Sequence, residues 1–168
     1  MTSALAIRPA RTQDVHAIKD LVAPLAERRI LISKESVTYF EGIQEFLIAE
    51  IDGEVVGCGA LHVMWEDLAE IRTLASADAW RGKGIGHTLV ERLLDRARAL
   101  GVARVFCLTF EVDFFLRHGF EVMADQGAID PEVYSELLRS ADEGVAEFLD
   151  LARVKPNTLG NTRMIRHL

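Results

Sequence analysis

Between Arg81 and Thr88 the chain reads Arg-Gly-Lys-Gly-Ile-Gly-His-Thr, with glycines at alternate positions 82, 84 and 86. Glycines so spaced let backbone N–H groups turn into one concavity. The helix predicted to follow adds unpaired N-terminal donors and the positive end of its dipole. Such a cradle suits a pyrophosphate, the alternative being a turn that only permits tight strand–helix packing. A P-loop requires Gly-Lys followed by Ser or Thr, and here Lys83 stands between glycines. A dinucleotide fold places its glycines after the first strand, whereas four strands and two helical segments are predicted ahead of this loop.

The elements that must carry the loop follow from periodicity. Leu5–Ile7 reads as a strand, and a helix is predicted from Thr12 as N-cap, with Asp14 in its first turn and a kink or break at Pro24. A weaker helix spans Ser33–Ile43. Phe46–Ile51 and Val55–Met64 read as strands joined by the Asp52-Gly53 hairpin signal, with Gly57 and Gly59 marking a close approach or bulge. Leu68–Ala75 is the next strand, ending just before the loop. The helix after it buries Ile85, Leu89, Leu93, Ala97 and Leu100, and Gly101 closes it. Val105–Thr109 is a short buried strand, and helices are predicted over Glu111–His118 and Pro131–Ser140. Two last strands, Glu147–Lys155 and Asn161–Leu168, would flank a turn at Asn157–Gly160. The whole is a mixed α/β domain over residues 1–168, one central sheet flanked by helices.

Composition narrows the class. Of 168 residues 49% are apolar and 27% charged, an ordinary globular balance. A net charge of −7 argues against a nucleic-acid backbone binder. No apolar run reaches the roughly 18 residues of a membrane span, and the first residues lack the apolar core of a signal peptide, so a cytoplasmic location is expected. Cys58 and Cys107 lie in apolar runs, without metal-ligand spacing, and read as buried thiols; no metal is expected.

Arg81, Gly84 and Gly86 fit the Gln/Arg-x-x-Gly-x-Gly/Ala loop that holds the pyrophosphate of coenzyme A. With the strand ending Leu74-Ala75-Ser76 before it and Phe115-Leu116-Arg117-His118-Gly119-Phe120 after it, the chain resembles the GCN5-related N-acetyltransferase superfamily over nearly its whole length. The resemblance implies acetyl-CoA-dependent transfer to an amine, without a metal. Backbone groups of Leu74, Ala75 and Ser76 would hold the pantetheine arm, and Arg81, Gly82, Lys83, Gly84, Ile85, Gly86 and His87 the pyrophosphate. The family commonly protonates the departing thiolate with a Tyr, but Phe115 stands at that position.

Ala69-Glu70-Ile71-Arg72-Thr73-Leu74-Ala75, Leu31-Ile32-Ser33-Lys34 and the tail Lys155–Met164 carry a narrower resemblance, to the acetyltransferase domain of bacterial N-acetylglutamate synthases. That implies acetylation of the α-amine of glutamate, or of glutamine, in the first step of arginine synthesis. Those enzymes often add an arginine-binding kinase-like domain, for which this sequence has no room. An acidic amino acid calls for cationic or multidonor partners, and Arg offers a bidentate fork. Arg72, Arg163 and Lys34, with Asn157 and Asn161 as amide donors, are the candidates. Glu70, two residues from Arg72 and therefore on the same face of a strand, is the candidate base, the alternative being a structural pair with Arg72. Glu66, Asp67 and His118 are weaker candidates. A peptide N-terminal acetyltransferase and a non-catalytic acetyl-CoA sensor are the competing functions. The expected partner is a small amino acid, not nucleic acid or membrane, and a homodimer is compatible with the sequence.

Overall fold

The computed structural model describes residues 4–157 and 160–168, the side chains of 155–157 excepted. Strands β1 (Leu5–Pro9), β2 (Phe46–Ile51), β3 (Glu54–Trp65), β4 (Leu68–Ser76), β5 (Arg104–Thr109), β6 (Glu121–Val122) and β7 (Thr162–His167) form one sheet of order β1-β2-β3-β4-β5-β7-β6. The helices are α1 (Val15–Glu27), α2 (Ser36–Glu41), α3 (Ile85–Leu100), α4 (Val112–Leu116), α5 (Pro131–Leu137) and α6 (Glu143–Phe148).

Side-chain alternation sorts the core onto two faces. Val56, Leu61, Ala69, Ile71, Val105 and Cys107 pack with Leu89, Leu93 and Leu94 of α3. On the other face Ile48, Cys58 and Ala60 meet Val15, Ile18 and Val22 of α1, while Leu68, Phe106 and Ile165 meet α5 and α6 through Leu137, Val145 and Phe148. Asp52 and Gly53 turn the β2–β3 hairpin at φ 51° and 80°, the left-handed pair that such a two-residue turn needs. Gly57 is required by close approach, since a Cβ there would stand 2.7 Å from Ile85 of α3.

Several expectations need correction. α1 begins at Val15, after a 3-10 turn over Thr12–Asp14. Asp14 grips Arg8 at 2.8 and 3.0 Å and accepts the Arg11 N–H at 2.7 Å. The helix runs through Pro24 to Glu27 without a break. Pro24 and Asp20 are exposed, so the backbone bond that Pro24 cannot make is lost on the solvent side of the helix. Leu100 is 57% exposed, at the end of α3 beyond the sheet. Gly101 closes that helix at φ 84°, as expected. Helices over 33–43, 111–118 and 131–140 are each shorter than expected, and the short strand β6 was not foreseen. The strand expected over Glu147–Lys155 is instead the end of α6 and a 3-10 turn over Ala152–Asn157.

Candidate active site

β4 and β5 run parallel, yet only Leu68, Ala69 and Glu70 pair across, with Arg104, Val105 and Phe106. Beyond Glu70 the strands part. Opposite the fork, β4 carries a bulge: Cys58 pairs with Ala75 and Ala60 with Arg72, so β4 holds one residue more than β3. Thr73 takes that place at φ 54°. A bulge bends its strand and sharpens the local twist, which carries Ile71–Ser76 away from β5. The opened edge of β4 exposes main-chain donors and acceptors with no strand to pair them, a template for an extended ligand.

A cavity of about 180 Å³ fills this fork, lined by Ile71–Ser76, Cys107–Glu111, Gly86 and Phe115. At its mouth stands the glycine loop. Gly82 and Gly84 have φ 79° and 76°, and the first bond inside α3 is Thr88 N–H to Gly84 O at 3.0 Å. The N–H groups of Ile85, Gly86 and His87 precede it and are free for an anion. Arg81 is exposed and pairs with Asp78 at 3.1 Å. The Ile85 side chain is buried in the core, leaving only its main chain for the loop. His87 donates to or accepts from His118 at 2.7 Å, and His118 contacts Glu91 at 2.6 Å.

A second cavity of about 470 Å³ shares Ile71, Arg72, Thr73 and Leu108 with the first. Lys34, Glu70, Asp142, Gly144, Glu147 and Asn161 also line it. Glu70 therefore sits at the vertex of the fork and lines the second cavity, next in sequence to Ile71, Arg72 and Thr73, which line both. Arg72 Nη1 and Nη2 grip Asp142 at 2.9 and 2.7 Å, and Nη2 also reaches Glu70 Oε2 at 2.7 Å. His62, opposite Glu70 on β3, contacts Glu45 at 2.6 Å and approaches Asp142 at 3.6 Å.

The charges are unequal in their comfort. Burial raises the Glu70 carboxyl above the ordinary range; Arg72 opposes this and Asp142 adds to it. Burial also works against Asp142, but the two-point fork of Arg72 outweighs it and holds that group low. Burial, then Glu70 and Glu143, push Glu147 up to about 7. Lys34 is lowered by burial and by Arg72. Cys58 and Cys107 are free buried thiols, Cys58 pushed up to about 12 and Cys107 well above its usual value by burial, so neither is a nucleophile at neutral pH.

Of the candidates, Glu70, Arg72, Lys34 and Asn161 line one cavity, and Leu74, Ala75, Ser76 and Gly86 the adjoining one. Arg163 is elsewhere: its Nη2 holds the Phe148 carbonyl at 2.7 Å, and it does not line the cavity, so it fastens the end of α6. The Asn157 side chain lies outside the described residues. Asp142 and Gly144 fall between the expected helix and strand, and Glu147 opens the expected strand, so periodicity singles out none of the three. Asp142, in fact the N-cap of α6, accepts from Val145 N–H at 3.1 Å, and an Asp three residues before a Val-x-x-Phe-Leu run was the available signal. Among the described residues no cluster of three or more His, Cys, Asp or Glu could hold a metal ion, and no helix is long and apolar enough to cross a membrane.

An amino-acid acetyltransferase of Mycobacterium tuberculosis is 56% identical over 162 residues, covering 95% of this chain and 92% of that protein. A M. tuberculosis structure solved in complex with CoA superposes with a TM-score of 0.92 at 55% identity, covering 97% of this chain and 99% of that one. The N-acetylglutamate synthase of Neisseria gonorrhoeae, complexed with coenzyme A and N-acetyl-glutamate, gives 0.77 at 25% identity, covering all of this chain but 36% of that one. Residues 16–120 match the Acetyltransferase (GNAT) family, spanning the forked strands, the glycine loop and the closing Gly119-Phe120. With the fork, the loop and the family match falling on the same residues, the chain belongs to the Acetyltransferase (GNAT) family.

Proposed function

We propose that this protein transfers acetyl from acetyl-CoA to the α-amine of L-glutamate, with L-glutamine as the alternative acceptor, in the first step of arginine biosynthesis in the cytoplasm. The observation that carries the reading is Glu70 at the vertex of the fork, in a polar cavity of amino-acid size that adjoins a cleft with a free strand edge. The pantetheine arm pairs with β4 over Leu74–Ser76, and the pyrophosphate rests on the N–H groups from Gly82 to His87. That arrangement brings the thioester to Glu70.

The acceptor enters from the second cavity, its carboxylates toward Lys34 and Asn161. Its nitrogen attacks the thioester carbonyl carbon, the C–N bond forms and the C–S bond breaks. Glu70 accepts a proton from the nitrogen as it attacks. Burial favours this, because it makes the carboxylate a better base than an exposed one. Phe115 offers no proton, and none is required: a thiol of pKa about 8.5 leaves as thiolate near neutral pH and takes its proton from solvent.

Release of CoA measured against a panel of amino acids and short peptides tests the reading. Turnover with glutamate or glutamine is expected. Turnover confined to peptides, or coenzyme binding without turnover of any amine, would replace it with a peptide acetyltransferase or a sensor respectively.

A further inference from the structure

We infer that Glu147 is a second acid–base residue of the acceptor cavity, receiving the α-ammonium of the incoming amino acid and removing its first proton. The inference rests on the acceptor reading above and adds to it a residue and a step. A nitrogen that enters as an ammonium carries three hydrogens and leaves as an amide with one. Two protons must go, and one carboxylate fixed in an ion pair is poorly equipped to take both.

Glu147 is only 6% exposed, its Oε2 has no hydrogen-bond partner, and it lines the same cavity as Lys34, Glu70 and Asn161. A buried carboxylate oxygen without a donor is costly, and on a residue that lines a cavity a ligand can supply the donor. The helix sets its position. Gly144 lies directly on Glu70, since a Cβ there would stand 1.9 Å from Glu70 Oε2. Glu147 follows three residues later and so projects from the same face of α6, beside Glu70 and not across the cavity from it. The Arg163 anchor on the Phe148 carbonyl holds this end of the helix in place.

The groups around Glu147 are mostly acidic: Glu70 of β4, Glu143 of α6 and Asp150 after it, with Arg163 of β7 opposing them. Together with burial they bring the carboxyl to about 7, where a general base works best at neutral pH. An arriving ammonium supplies both the charge and the donor that Glu147 lacks. The proton passes from nitrogen to the Glu147 carboxylate, which becomes a neutral acid, and leaves a neutral amine. The amine attacks the thioester, Glu70 takes the second proton as the C–N bond forms, and the thiolate departs. Both carboxyls then return their protons to solvent.

The test compares wild type with Glu147→Gln, measuring kcat/KM for glutamate or glutamine from pH 6 to about 9.5, coenzyme affinity by calorimetry and thermal melting. Expected are unchanged coenzyme affinity, a folded variant, and a loss of about 10²-fold at pH 7 that shrinks as solvent deprotonates the amine. The wild-type limb governed by a group near 7 should vanish from the variant. An unchanged kcat/KM and pH profile, in an enzyme whose wild type acetylates the amino acid, overturns this inference alone. So does an equal loss of coenzyme affinity, which marks a structural role. Should the variant melt, Glu147→Ala carrying added acetate reads the same step: acetate rescue of turnover supports it and no rescue overturns it. Absence of turnover by wild type with every amino acid overturns the acceptor reading, and this inference with it.

Discussion

Gly144→Ala is the sharpest perturbation the site offers, because it adds one methyl at the closest approach between α6 and the sheet. The new Cβ would lie 1.9 Å from Glu70 Oε2, 2.7 Å from Arg72 Nη2 and 2.9 Å from Asp142 Oδ2. Ordinary contact begins at 3.4 Å, so Glu70 or the helix must move by about 1.5 Å. Either way the Arg72–Glu70 hydrogen bond of 2.7 Å is strained or lost. Overpacking of this kind costs about 1–3 kcal/mol. For a chain of this size about 2 kcal/mol corresponds to a melting point lower by about 4–8 °C. A displacement above about 1 Å at the base should also cost about 10²-fold in kcat/KM. Melting curves and CoA-release kinetics measure both. A double variant adding Glu70→Ala should recover part of the lost stability, since the clash partner is then gone. Melting unchanged to about 1 °C together with kcat/KM unchanged to about twofold would refute the placement of α6 on Glu70.

Glu70→Gln should lower kcat by roughly 10²–10⁴-fold, with the loss smaller at high pH, read from the pH profile of CoA release. Gly84→Val forces a β-branched residue into φ 76° and should weaken coenzyme binding measured by calorimetry, at a conformational cost of about 1–2 kcal/mol. Lys34→Met should raise the acceptor KM by about one to two decades and leave the coenzyme KM unchanged, as expected for losing a charged hydrogen bond of about 1.5–3 kcal/mol. Glu147→Gln should melt higher than wild type above pH 7 and equally at low pH. The reason is that the folded carboxyl sits near 7 against 4.5 unfolded, so wild type loses stability as pH rises between those values, by at most about 3 kcal/mol.

Local signals made part of this molecule legible. Asp52-Gly53 and the flanking alternation located β2 and β3, and the 3.6-residue stripe with Gly101 located α3. The glycine loop and the Glu70–Arg72 pair were visible because each depends on residues close in sequence. What stayed hidden depends on distant partners. Leu149-Asp150-Leu151 alternates like a strand, but Phe148 packs edge-on against Phe106 at 5.6 Å, and the Asp142 cap favours a helix there, so tertiary packing overrides the pattern. Thr73 carries no mark of its left-handed conformation, because threonine rarely adopts it. Arg72 pairs with Asp142 seventy residues away, a contact no short-range motif encodes.

That contact changes how the acceptor is held. Arg72 was expected to bind an acceptor carboxylate, yet Nη1 and Nη2 are already engaged by Asp142 and Glu70. An acceptor carboxylate would have to displace Asp142, and breaking a buried pair costs about 3–5 kcal/mol. Lys34 is in the opposite position. Burial and then the Arg72 charge disfavour its ammonium, against Glu70, Asp142 and Glu45, so a carboxylate brought beside it would favour the charged form. Arg72 therefore balances two carboxylates within the site, while Lys34 is the cation we propose for the acceptor carboxylate. Arg72→Ala would consequently disturb base and acceptor together, whereas Lys34 separates binding from chemistry.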